Sequence, residues 1–266
     1  MIKKIKGYFS VGEIALWVLS VAMITVAYCV FGGNGALTLI ASLIGVTSIL
    51  INAKGNPIGQ CLMIVFSVFY GIISYEFKYY GEMATYLGMS MPMAIFSLLV
   101  WLKNPFKGKR SEVKIGVLTK RDVLIMCLSA VVVTVAFYFV LDYFGTANMI
   151  PGTISVTTSY VAVYLTFKRS PYFNFAYALN DVVLIILWSL ASVADKKYIS
   201  VTVCFVAFLI NDVYGFISWL KRRRTQSETS DDGGRAEPFC ESPTEEKAEN
   251  GEETQGKDEF NNPEKE

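Results

Sequence analysis

The chain reads as an all-α polytopic membrane protein of about eight transmembrane helices, the number of apolar runs long enough to span a bilayer. It is read as two parallel three-helix bundles joined by a linker helix and preceded by one extra N-terminal helix. Three observations carry this reading. The chain is 53% hydrophobic with a mean hydropathy of +0.42, well above an ordinary soluble domain. Basic residues fall almost entirely on one of the two sides that the apolar runs define. Two short sequences in the first bundle recur, at nearly the same offset, in the second.

The first span, 11–31, follows Met1-Ile-Lys-Lys-Ile-Lys6 and has no small-residue cleavage site, so it is read as a retained helix and not a signal peptide. The second, third and fourth occupy 36–52, 57–75 and 83–101, with Pro57 opening the third and Trp101 closing the fourth. A basic link over 102–121 leads to the fifth span, 122–141. The last three are 150–167, 172–194 and 199–219, again with a proline, Pro171, before the seventh and a tryptophan, Trp219, closing the eighth. The resulting units are 1–35, 36–104, 105–149, 150–221 and 222–266.

With eight spans both termini share a side. That side carries 17 Lys and Arg, and the opposite side only Lys78, Lys196 and Lys197. The excess places both termini in the cytoplasm. Residues 1–224 hold 20 basic and 9 acidic residues, whereas 225–266 hold 4 and 14. The latter segment has too few large apolar residues to offset its ordering entropy, which predicts a disordered acidic cytoplasmic tail.

Lys54-Gly-Asn-Pro57 matches Lys168-Arg-Ser-Pro171 at an offset of 114, and Trp101-Leu-Lys103 matches Trp219-Leu-Lys221 at 118. Spans two to four thus correspond to six to eight. Three helices reverse sidedness, so a parallel copy needs one more crossing, which the fifth span supplies. Parallel repeats of this kind are a transporter architecture.

The absence of histidine excludes a histidine metal site and histidine-based nucleophilic catalysis. Cys29, Cys61, Cys127, Cys204 and Cys240 show no pairing pattern. No glycine-rich phosphate loop or convergent acid–base set appears, so an enzyme is not expected, nor a cofactor, a metal or a nucleic-acid partner.

Chemistry concentrates in two Asn-Asp pairs inside apolar segments, Asn180-Asp181 and Asn211-Asp212. A carboxylate at mid-bilayer costs about 2.5–3.5 kcal/mol on insertion scales, so such residues face a cavity or a partner. Counting from Pro171 and Trp219 at 1.5 Å per residue puts both pairs roughly 12–14 Å from the cytoplasmic end, one layer near the midplane. Helical periodicity adds Asn174, Tyr177 and Trp188 to Asp181, and Tyr214, Gly215 and Ser218 to Asn211. Ser155, Ser159 and Ala162 form a small-residue face, as do Thr38, Ser42, Gly45 and Asn52, and Gln60 lies one turn into the third span. The candidate binding residues are Asn211, Tyr214, Asn180, Asp181, Trp188, Tyr177, Gln60 and Asp212. Aromatic faces and amides suit a flat, neutral or cationic heteroaromatic solute with hydroxyls. The competing role for each is interhelical glue. Glu13, Glu76, Glu82 and Asp195 are read as interfacial and structural.

The runs Tyr177-Ala-Leu-Asn-Asp-Val-Val-Leu-Ile-Ile-Leu-Trp188 and Phe208-Leu-Ile-Asn-Asp-Val-Tyr-Gly-Phe216 resemble the PnuC family of vitamin transporters, over about residues 36–221. The resemblance implies facilitated diffusion of nicotinamide riboside across a bacterial inner membrane, driven by intracellular phosphorylation. It also implies a SWEET-like three-plus-one-plus-three fold and often a homotrimer. Relatives carrying thiamine or riboflavin, proton coupling through Asp181 or Asp212, and a membrane receptor or enzyme are the alternatives. Many members have Trp-x-x-Trp early in the seventh span; at that spacing this chain has Asn174 and Tyr177. At the positions matching Asn180 and Asn211 the first copy has Phe66 and Met93, so recognition is expected mainly from the second bundle.

Overall fold

The computed structural model describes residues 8–31, 35–146 and 148–232. Eight long helices make up almost all of it: α1 (Val11–Val30), α2 (Ala36–Ala53), α3 (Ile58–Glu76), α4 (Tyr80–Lys103), α5 (Lys120–Tyr143), α6 (Met149–Phe167), α7 (Phe173–Ala194) and α8 (Ile199–Asp232). Seven are apolar and long enough to cross a membrane. The eighth, α6, has 19 residues but is rich in Ser and Thr. Thr153, Thr157 and Thr166 satisfy their hydroxyls on carbonyls one turn back, which lets a less apolar helix sit between α5 and α7.

Local chemistry sets the helix ends. Ser10 and Glu13 form a capping box at the start of α1, and Thr119 and Asp122 form one at the start of α5. Pro57 and Pro171 stand just before α3 and α7, where a missing N–H costs nothing. Within α4 the ladder slips to π geometry over Tyr86–Ser90.

Two expectations are corrected. The basic link is not plain loop: β1 (Pro105–Phe106) and β2 (Lys109–Val113) pair as a short antiparallel hairpin. Residues 222–232, assigned by composition to the tail, continue α8 to Asp232. The rest of the tail, 233–266, and Lys3, Lys4 and Lys6 lie outside the described residues.

The helices pack as two halves with matching contacts. α1 lies against α2, α2 against α3 and α3 against α4; α5, α6, α7 and α8 repeat that series. Between halves, α8 packs on α2 and α1, and α4 on α6. Two tryptophans bridge the halves reciprocally. The indole of Trp101 on α4 donates to Thr166 O on α6 at 3.0 Å, and that of Trp219 on α8 donates to Asn52 O on α2 at 2.9 Å. Two lysines at the loop starts do the same within each half: Lys54 pairs with Glu13 of α1 at 2.8 Å, and Lys168 with Asp122 of α5 at 2.6 Å. The link straps the two turns together, since Val113 N donates to Gly55 O and Gly116 N to Arg169 O, each at 2.9 Å. Gly55 and Arg169 both have positive φ, 69° and 56°.

Candidate functional site

A polar cavity of about 40 Å³ lies between the halves, walled by α2, α3 and α4 on one side and α6, α7 and α8 on the other. α7 brings Asn174, Tyr177, Asn180 and Asp181 to the wall and α8 brings Asp212; Ser159 comes from α6 and Asn52 from α2. Aromatic rings of Phe66, Tyr86, Phe173, Phe205 and Phe208 complete it. Tight backbone approach makes this possible: a Cβ at Gly45 would collide with the Phe208 ring, and one at Gly215 would come 2.5 Å from Asn174 Nδ2.

The polar groups on the wall are held in defined poses. The hydroxyls of Thr158 and Ser159 donate to Asn180 Oδ1 at 2.8 and 3.0 Å, which leaves the Asn180 amide NH₂ as the group to offer a solute. Gln60 Nε2 donates to Asn52 Oδ1 at 2.9 Å. Asp181 and Asp212 are 4% and 3% exposed and both line the cavity. Asp181 Oδ2 and Asn174 Nδ2 have no hydrogen-bond partner. Among the described residues no Lys or Arg lines the wall. The wall is thus acidic, amide-bearing and aromatic.

Aromatic packing closes both ends. Toward the basic link, Trp219 lies 4.8 Å from Phe173 and 5.5 Å from Trp101, centroid to centroid. Toward the opposite end, Trp188 packs on Tyr79 at 4.7 Å and Tyr198 at 5.6 Å, and Tyr70 on Tyr86 at 4.3 Å. The enclosed volume holds a few waters at about 10–15 Å³ each, far less than the roughly 300 Å³ a small-molecule pocket needs.

Of the eight residues singled out in the sequence, four stand on the wall: Asn180, Asp181, Tyr177 and Asp212. The others do not. Asn211 points away, its Nδ2 donating to Ser20 Oγ of α1 and to Ala207 O, both at 2.8 Å. Tyr214 OH donates to Glu13 Oε1 at 2.8 Å, beside an open groove at the basic end. Trp188 belongs to the closure opposite that end, and Gln60 stands behind Asn52. Glu82, read as interfacial, is 3% exposed and lies inside the bundle. Sequence reasoning missed Tyr86 and Ser90, which the π turn carries to the wall; an extra residue per turn hides them from a 3.6-residue period. Asn52 carried a signal, as the polar end of the small-residue stripe on α2.

Membrane-crossing helices around an enclosed polar cavity, shut by aromatic packing at each end, define a membrane transport protein. The profile of the nicotinamide mononucleotide transporter family matches residues 35–221, and the chain belongs to that family, as its resemblance to PnuC sequences implied. It is 27% identical over 211 residues, 78% of this chain and 80% of the other, to the nicotinamide riboside transporter PnuC of Neisseria mucosa. Against the nicotinamide riboside transporter PnuC of Haemophilus influenzae the identity is 20% over 187 residues, covering 70% and 79% of the two chains. Its fold matches a crystal structure of the vitamin B3 transporter PnuC with a TM-score of 0.72, at 24% identity, over 82% of this chain and 94% of that one. α1 lies outside the family match.

Proposed function

We propose that the protein carries nicotinamide riboside into the cell by facilitated diffusion, with phosphorylation inside trapping the product. The observation that carries this reading is the makeup of the wall: two buried carboxyls and, among the described residues, no basic side chain. Nicotinamide riboside bears a positive pyridinium ring, a carboxamide and ribose hydroxyls. Asp181 and Asp212 complement the ring charge, Tyr177 and Tyr86 offer π faces to it, and Asn180, Asn174 and Ser159 offer donors and acceptors to the amide and the ribose. The family description names the mononucleotide, but a phosphate would meet carboxylates without any Lys or Arg to neutralise it. The wall therefore favours the riboside. In this reading the protein spans a bacterial inner membrane with cytoplasmic termini, supported by the 17-to-3 distribution of basic residues, and assembles as a homotrimer by family resemblance.

The test is a thermal-shift titration of the purified protein followed by uptake into proteoliposomes. Nicotinamide riboside should raise the apparent melting temperature, since it binds only the folded state, and nicotinamide mononucleotide should not. Asp181→Asn should weaken riboside affinity by about tenfold or more, the loss of a hydrogen bond or contact to a charged group. Uptake should ignore an imposed pH gradient. Tighter binding of the mononucleotide than of the riboside would overturn the assignment.

A further inference from the structure

Glu82 and Tyr86, four residues apart, share one face of α4, and Tyr79 stands just before that helix begins. Tyr79 is packed on Trp188 in the closure opposite the basic link, and Tyr86 is part of the cavity wall. The carboxyl stands in the first turn of α4, about one helical turn from Tyr86 and three residues after Tyr79, and so between closure and cavity along the chain. It is 3% exposed. One oxygen accepts a single long hydrogen bond from Ser155 at 3.4 Å, and the other has no hydrogen-bond partner. None of the ion pairs among the described residues includes it. Tyr86, four residues on, begins the π turn of α4 and packs on Tyr70 at 4.3 Å.

A buried carboxylate with neither a cation nor a full set of donors is costly. Inside a membrane span such a group marks a solute path. A structural carboxylate would be satisfied as Glu13 is, by Lys54, Tyr214 and the Ser10 N–H. Glu82 instead keeps an unused acceptor one turn from the Tyr86 ring, a combination that attracts an organic cation.

We propose that Glu82 is an entry station, holding the positively charged ring of a pyridinium-class solute between the closure opposite the basic link and the cavity. The inference rests on the riboside reading above. It adds a site that lies outside the cavity wall and acts on passage.

Initial entry of nicotinamide riboside into proteoliposomes, below saturation, is measured for wild type, Glu82→Gln and Glu82→Asp, with equilibrium affinity and melting temperature on the same preparations. The Gln variant should enter about tenfold more slowly, as expected when a hydrogen bond to a charged group is lost, with affinity near wild type. The Asp variant keeps the charge and should retain most of the rate. Unchanged entry in Glu82→Gln would overturn the proposal. So would a fall in rate, affinity and melting temperature together in both variants, because the carboxyl would then merely hold α4 to α6. If the Gln variant does not assemble, Glu82→Asp carries the test alone, and loss of its entry with an intact fold overturns the station. Failure of wild type to bind or move the riboside would defeat the earlier reading, a separate result.

Discussion

Neighbouring residues on a helix point about 100° apart, and α8 uses that angle to split one polar pair between two tasks. Asp212 turns to the cavity, whereas Asn211 turns to α1 and bonds Ser20. The Asn180-Asp181 pair is not split in this way: both line the cavity, with Asn180 tied to Thr158 and Ser159. Asn211→Ala should therefore lower stability by about 1–3 kcal/mol, the cost of stranding a buried hydrogen-bond partner, and leave riboside affinity within about threefold. Asp212→Asn should do the reverse, weakening binding more than it weakens the fold. Chemical denaturation and ligand titration on the two variants separate these outcomes. The sequence placed both pairs at one depth, and three of the four residues line the cavity. It could not say which of two adjacent residues faces which neighbour, because a period fixes a stripe and not the helix that covers it.

At the scale of elements, the Asn-x-x-Tyr stripe of α8 works as a dock for α1. Tyr214 and Lys54 converge on Glu13, whose carboxyl also caps its own helix through the Ser10 N–H. The four groups form one network, so Tyr214→Phe and Lys54→Met should be non-additive, with a coupling of about 0.5–3 kcal/mol in a double-mutant cycle. Additive losses would show that α1 is held by apolar contact alone. The place of each membrane helix was legible from hydropathy, and the starts of α3 and α7 from Pro57 and Pro171, though not the run of α8 on to Asp232. The partnership of α1 with α8 was not, since it joins positions nearly 200 apart by single hydrogen bonds that leave no periodic trace. The hairpin in the link was equally hidden: its strands are too short and too charged to alternate, and they form because Val113 finds Gly55 as an acceptor.

For the molecule as a whole, the cavity lies between two aromatic clusters, and its volume of about 40 Å³ is well below the roughly 300 Å³ a small-molecule pocket needs. Gly45 and Phe208 meet at the cavity with no space between them. Gly45→Ala should push the Phe208 ring off its site and lower both uptake and riboside affinity, read by proteoliposome flux and titration; unchanged flux would mean that the ring yields freely. The reciprocal tryptophans have a different bearing. Each half ends in an indole N–H whose acceptor belongs to the other half, so neither half is chemically complete by itself. A chain cut at the hairpin turn, near Gly108, yields fragments that each carry the missing piece of the other. Expressed together, these fragments should find one another and restore a protein that moves solute, while either alone is degraded. Replacing both Trp101 and Trp219 with Phe should abolish that reassembly long before it unfolds the intact chain, making the pair a molecular proof of pairing in split-protein complementation.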